Sequence, residues 1–367
     1  MPTKNELTIL QALPLELKVM RTQQRIREWV NYYGTDGVYV SFSGGKDSTV
    51  LLHIVRELYP DIEAVFVNTG LEYPEIRHFI QTFDNVTILR PKMRFDEVIK
   101  KYGYPLISKE VSECVYQGKM ALKKYGEDPY EVIERLQLLP KVGFSIPYSY
   151  RLQKLLGTAK DKNGNNSLFN KEKWKPLLEF DFNISSNCCN IMKKKPVHDY
   201  GKQTGKMPMT AQTAEESHLR EQQWLKNGCN GFNMKKPISN PMSFWTEQDI
   251  LQYIKKHNIP IASVYGDIVY DNGKGNIYDN LLCDNGCKLK CTGCQRTGCI
   301  FCGFGAHCKG DDRFVLLKKT HPRQYEYCMG GGEYDTDGLW KPNKNGLGMA
   351  HCIDEFNKIY GKDFIKY

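Results

Sequence analysis

Val38-Tyr39-Val40-Ser41-Phe42-Ser43-Gly44-Gly45-Lys46-Asp47-Ser48-Thr49 decides how the rest of the chain reads. Its first five residues read as a buried strand. Two glycines follow, and they let backbone N–H groups turn toward an anion. A helix starting near Asp47 adds the positive end of its dipole. Ser43 and Ser48 offer hydroxyl hydrogen bonds, Lys46 brings a full charge, and Asp47 can orient an amide or a phosphate-bound Mg²⁺. The spacing differs from Gly-x-x-x-x-Gly-Lys-Ser/Thr, so this shorter loop should grip fewer phosphate oxygens. A lone Gly-Gly pair would favour a plain strand-to-helix turn. The complete string favours phosphate.

Outward from the loop, Leu51, Val55 and Leu58 line one face of a helix that Pro60 ends. Ala64-Val65-Phe66-Val67 and Val86-Thr87-Ile88-Leu89 read as strands, with helices from Pro74 and from Phe95 to Tyr102 after them. The alternation predicts an α/β fold: an open, mostly parallel twisted sheet with helices on both faces. A Cys-rich metal-binding region and a helical tail are expected beyond it. The expected partition is 1–270 for the nucleotide-binding α/β domain, with an insertion around 112–176, then 271–310 for the Cys-rich segment and 311–367 for the tail. Residues 7 to 33 and 112 to 157 read as helical, Leu177 to Phe182 and Met207 to Thr210 as short strands, and Glu247 to His257 as a helix capped by Thr246.

With 41% hydrophobic and 25% charged residues, the composition is that of an ordinary globular protein. No apolar run approaches the ~20 residues needed to cross a bilayer. The polar start Met1-Pro2-Thr3-Lys4 lacks a secretory-signal pattern, so a cytoplasmic location and no membrane partner are expected. A net charge of +9 suits a polyanionic partner, but the lysines are scattered and form no basic tail. Seven of the 13 cysteines lie between Cys283 and Cys308, and Cys188-Cys189 are adjacent. Without a secretory signal, such crowding points to metal or redox chemistry. Cys114 and Cys229 stand apart and read as small hydrophobes.

The Ser-Gly-Gly-Lys-Asp-Ser string resembles the PP-loop of the adenine-nucleotide alpha-hydrolase-like superfamily. The resemblance implies that adenine lies across the carboxyl ends of the strands, and that Asn68, Thr69 and Gly70 approach the adenosine. Further segments resemble the phosphoadenosine phosphosulfate (PAPS) reductase family. These are Val67-Asn68-Thr69-Gly70 with Tyr73-Pro74-Glu75, Cys188 to Pro196, Ser217-His218-Leu219-Arg220, and Asn240 to Ile250 followed by Ile259-Pro260. They occur in the family's order, which is more specific than any one of them. The resemblance implies a substrate that is ATP or a sulfonucleotide (PAPS or APS), with Ser217 and Arg220 beside it and Lys46, Asp47 and Ser48 acting on it.

Two departures bear on the reaction. The family's substrate loop carries Gly-x-Arg, where this chain has Ala211-Gln212-Thr213. Reductases of the family end in Glu-Cys-Gly-Leu/Ile-His, which neither Cys328 nor His351-Cys352 reproduces.

Cys299-Ile300-Phe301-Cys302 is a Cys-x-x-Cys turn flanked by Gly298 and Gly303. By resemblance to the family's iron–sulfur branch, Cys188, Cys189, Cys299 and Cys302 would hold a [4Fe–4S] cluster. Cys283, Cys287, Cys291 and Cys294 lie upstream at spacings that also suit tetrahedral zinc. One site of each kind, or one site that recruits Cys294, are both open at this stage.

Three functions follow. The first is ATP-dependent sulfur transfer to a nucleotide or nucleic acid, with a sulfur-donor partner. The second is sulfonucleotide reduction with a thioredoxin-like partner, which the missing terminal motif disfavours. The third is a non-catalytic nucleotide- or nucleic-acid-binding module, which the intact loop disfavours.

Overall fold

The structure is a computed structural model of the chain, and it describes residues 2–139, 147–271, 277–278 and 287–367. Compactness groups the chain into two units: residues 1–91 with 195–299, and residues 92–194 with 300–367. The expected boundaries at 270 and 310 follow composition, whereas these units follow contacts. Both units are assembled from separated stretches of chain.

The first unit is built on a six-stranded sheet. Its strands are β1 (Val38–Ser41), β2 (Ala64–Val67), β3 (Val86–Leu89), β4 (Met207–Met209), β5 (Asn230–Gly231) and β6 (Ile238–Ser239), in the order β3-β2-β1-β4-β6-β5. All neighbours are parallel except the β5–β6 hairpin at the edge. The expected α/β, mostly parallel architecture is therefore present. In β1, Val38, Tyr39 and Val40 are all buried, as a strand covered on both faces requires. Strand order reverses on either side of β1. Its carboxyl end is thus a topological switch point, where open sheets of this class leave a crevice for ligands.

Helices Leu15–Tyr33, Lys46–Leu58 and Glu247–His257 bury Ile26, Trp29, Leu51, Val55, Ile250 and Ile254 in the same core. Each such side chain contributes roughly 1.5–3 kcal/mol by leaving water. Within that core the Lys18 ammonium lies 2.6 Å from Asp249 Oδ2. The Trp245 indole N–H donates to Thr22 Oγ1 at 2.9 Å. Thr246 caps the last helix in a reciprocal capping box with Asp249. The expected long helix over 7 to 33 is two, Lys4–Gln11 and Leu15–Tyr33, because Pro14 cannot continue the first.

The second unit is mainly helical. Helices Lys109–Tyr125, Pro129–Leu138 and Pro147–Leu155 pack through Ala121, Val132, Leu136, Leu152 and Leu156. The stretch expected as a strand, Leu177 to Phe182, is instead the end of a 3₁₀ turn (Glu172–Leu178) and an irregular segment. Pro176 sits in that turn, and the Lys119 ammonium takes the Phe180 and Phe182 carbonyls that a neighbouring strand would have used. A two-residue strand, Leu106–Ile107, pairs in parallel with Gly303–Phe304. The tail helix Met349–Tyr360 buries Cys352, Ile353 and Phe356. Among the described residues, no helix is long and apolar enough to cross a membrane.

Candidate functional site

The loop after β1 folds as its residue types require. Gly44 has φ +71°, and a Cβ there would lie 2.8 Å from Ile76 Cγ2, so both its backbone and its surroundings demand glycine. Gly45 is the N-cap of helix Lys46–Leu58 and has no side chain with which to cap it. A helix end of this kind favours an anion, and its first amide, Lys46 N–H, is met by the Tyr265 hydroxyl. Ser43 and Ser48 face each other with their Oγ atoms 3.0 Å apart, and the Ser43 N–H donates to Ser48 Oγ at 3.1 Å. The Gly45 N–H donates to Ser43 Oγ at 3.3 Å.

Lys46 is only 4% exposed. Its ammonium donates to Glu247 Oε1 at 2.9 Å and to the Gln295 carbonyl at 2.8 Å. The Lys46 N–H points at the Tyr265 hydroxyl, 3.3 Å away, and that hydroxyl lies 2.5 Å from Thr297 Oγ1. Burial pushes Tyr265 up to about 12, so it stays a neutral hydroxyl. Burial also raises Asp47; Lys46 and Arg296 pull against that rise, and Glu247 adds to it. Sequence reasoning missed Glu247, Tyr265, Gln295, Arg296 and Thr297. They lie more than 200 residues away in sequence, and only the fold brings them to the loop.

The other expected nucleotide residues take defined positions. Asn68, Thr69 and Gly70 form a turn at the carboxyl end of β2. Thr69 Oγ1 donates to Glu72 Oε1 at 2.6 Å, and the Gly70 N–H donates to Asn68 Oδ1 at 3.1 Å. Ser217 caps helix His218–Asn227 by accepting the Arg220 N–H. Arg220 pairs with Glu216 and lines a small cleft with Gln212, Thr213 and Ala214. Burial lowers Arg220, the positive charge of Arg296 adds to that, and Asp47 opposes it. Arg220, Arg296 and Asp47 therefore sense one another across this end of the sheet.

The cysteines separate by unit. In the first, Cys291 ends the strand Lys288–Cys291 and is buried, and Cys294 is half-buried with Tyr73 hydrogen-bonded to its sulfur. Cys287 is disulfide-bonded, and Cys283 lies outside the described residues. Cys299 is the last residue of this unit.

In the second unit Cys188 and Cys189 end a single helical turn, Asn187–Cys189, that passes directly into a π-helical stretch, Asn190–Lys194. Such wide turns recur at functional sites. A hydrogen bond from Cys188 holds Cys189 down at about 6 against its burial, aided by Lys109, Lys193 and Lys194. Cys302 is raised by burial, opposed by the Phe304 N–H and Arg313, and it senses Cys189. Arg313 fixes this turn by donating to the Cys302 and Phe304 carbonyls at 3.0 and 2.9 Å. Among the described residues, no group of three or more His, Cys, Asp or Glu side chains is arranged as a ready metal cage.

Cys328 and Cys352, the cysteines of the tail that do not reproduce the family's terminal motif, have no exposed surface. Burial raises both thiols well above their ordinary value. Neither can supply a thiolate to a substrate from this position.

The family profile described as the phosphoadenosine phosphosulfate reductase domain matches residues 37–128 and 148–303, more than half of the chain. Among curated proteins, an uncharacterized protein of Methanocaldococcus jannaschii is 37% identical over 100 residues, covering 26% of this chain and 20% of that one. A phosphoadenosine 5′-phosphosulfate reductase of Xanthomonas oryzae is 30% identical over 94 residues, covering 24% of this chain and 39% of that one. The chain thus spans well under half the length of these curated relatives. A solved phosphoadenylyl-sulfate reductase from Candida auris, in a phosphate complex, aligns with TM-score 0.35 and 13% identity, covering 76% of this chain and 96% of that one.

Proposed function

Because the chain belongs to the phosphoadenosine phosphosulfate reductase domain family, we propose that it holds an adenine nucleotide on Ser43–Ser48 and uses it in sulfur transfer. The observation that carries the binding site is the glycine-capped amino end of helix Lys46–Leu58, with the Ser43 and Ser48 hydroxyls beside it at the switch point of the sheet. In the reaction, an acceptor oxygen attacks the α-phosphorus of ATP and pyrophosphate leaves. A sulfur nucleophile then displaces AMP from the adenylated acceptor. The loop's amides and Lys46 stabilise phosphate charge as it develops. The acceptor is a nucleotide or nucleic acid, and the sulfur comes from a donor partner. Asp47 would hold a phosphate-bound Mg²⁺.

What supports a thiolate-ligated group in the second unit is the chemistry of two of its thiols. Cys189 is poised as thiolate, and a backbone N–H is directed at Cys302. Cys188, Cys189 and Cys302 would be this unit's ligands to a [4Fe–4S] cluster, which when bound would hold or relay sulfur. Zinc on Cys283, Cys287, Cys291 and Cys294 fits less well, since the disulfide-bonded Cys287 offers no thiolate.

The alternative within the family is reduction of PAPS or APS by a thioredoxin-like donor, with release of sulfite. The burial of Cys328 and Cys352 speaks against it. Product analysis of anaerobically purified protein with ATP and PAPS in parallel separates the two. Transfer gives pyrophosphate from ATP that Lys46→Ala abolishes. Thioredoxin-dependent sulfite from PAPS would establish reduction instead. Iron with acid-labile sulfide in that preparation supports the cluster, and zinc without iron rejects it.

A further inference from the structure

The segment Cys291–Thr297 is built against the nucleotide loop by a continuous set of hydrogen bonds within the first unit. Strand Lys288–Cys291 pairs antiparallel with Ile268–Asp271. From its end, the Thr292, Gly293 and Cys294 N–H groups donate to the carbonyls of Asp267, Tyr265 and Val264 at 2.9, 2.8 and 2.9 Å. Gly293 is needed for that approach, since a Cβ there would meet the Val264 carbonyl at 2.4 Å. The Gln295 amide closes the turn on the Cys291 carbonyl at 2.6 Å. Two residues then touch the loop's own machinery. The Gln295 carbonyl accepts from the Lys46 ammonium, and the Thr297 hydroxyl meets the Tyr265 hydroxyl that faces the Lys46 N–H.

Arg296 stands between those two anchors, and its side chain is exposed. The other two cations here are already compensated, Lys46 by Glu247 and Arg220 by Glu216. Arg296 makes no ion pair among the described residues. Yet its charge reaches both Asp47 and Arg220. Two guanidinium groups that sense one another, one of them on a segment anchored to the loop beside a helix amino end, suit an anion bound there. The nearby stretch Ala211-Gln212-Thr213 contributes no charge of its own.

We infer that Arg296 is a substrate-binding residue that clamps a phosphate or sulfate group of the adenine nucleotide held by Ser43–Ser48. Guanidinium suits this task, since its planar fork pairs with two oxygens of one tetrahedral anion. The inference rests on the proposed nucleotide site and names the residue that reads the far end of its anionic tail.

The test is a calorimetric titration of full-length protein with ATP, PAPS and uncharged adenosine, using wild type, Arg296→Ala and Arg296→Lys. The expected result is roughly a tenfold or greater loss of ATP or PAPS affinity in Arg296→Ala. Adenosine affinity should be unchanged, and Arg296→Lys should recover part of the loss. An exposed side chain carries little of the fold, and unchanged circular dichroism and melting will confirm that the variant is folded. If wild type binds ATP or PAPS and Arg296→Ala binds both equally well, Arg296 has no such role while the nucleotide site stands. If wild type binds neither, the site itself is wrong and the assignment falls with it.

Discussion

Lys46 is held inside the site by the Glu247 carboxylate and the Gln295 carbonyl, with Tyr265 over its amide. An arriving phosphate must therefore share or displace Glu247. Removing that carboxylate should help the anion. Glu247→Gln is expected to tighten ATP binding several-fold, whereas Lys46→Ala should weaken it by about tenfold or more, both read by equilibrium titration. Gly44 makes a separate claim about the loop. With φ +71° and Ile76 2.8 Å from any added Cβ, Gly44→Ala should cost about 1–3 kcal/mol in denaturant unfolding. Unchanged stability there would mean that the loop relaxes. At this scale the sequence was legible for Ser43 to Ser48, because local chemistry names that turn. It was not legible for Glu247, Tyr265 or Arg296. Nothing in the residues around them distinguishes them from a helix start, a core tyrosine and a surface arginine.

Elements hold the loop in place through a small number of buried polar contacts. Helix Leu15–Tyr33 is tied to helix Glu247–His257 by Lys18, which is 2% exposed and also donates to the Gln11 carbonyl at 2.7 Å. Lys18→Ala leaves Asp249 buried without its counter-charge and should cost about 3–5 kcal/mol, measured as a fall in denaturation midpoint. Glu63, just before β2, receives hydrogen bonds from Lys206 and Tyr200, both at 2.6 Å, and from Thr87. Burial alone would raise its carboxyl, but these partners outweigh it and hold Glu63 below the usual carboxylate range. That stabilisation is present above the unfolded-state value and is lost as pH falls through the lower folded one. Glu63→Gln should therefore lower stability near neutrality and flatten the acid limb, with variant and wild type converging at low pH. An acid limb identical to wild type would place the titration elsewhere. The strands β1 to β4 were readable because short apolar runs bounded by turns have few other uses. Leu177 to Phe182 misled because its apolar residues pack around a 3₁₀ turn, and because the Lys119 ammonium replaces a strand partner.

On the scale of the whole molecule, each unit is stitched from distant stretches, which no composition shift marks. Cys302 senses Cys189 within the second unit, where Leu106–Ile107 pairs with Gly303–Phe304 and Arg313 fixes the turn. Cys291 and Cys294 fall in the first unit, on the segment that also delivers Arg296. The crowding of the cysteines was visible in the sequence, and the sorting of the described ones between the two units required the fold. The central claim is that the backbone of Ser43–Ser48 holds the phosphates of an adenine nucleotide. Amide hydrogen exchange on the peptide spanning 42–50, with and without ATP, tests it most directly, because protection reports those N–H groups themselves. The account predicts marked slowing of exchange in that peptide on ATP addition, lost in Lys46→Ala. ATP bound at saturation with exchange in 42–50 unchanged would contradict it.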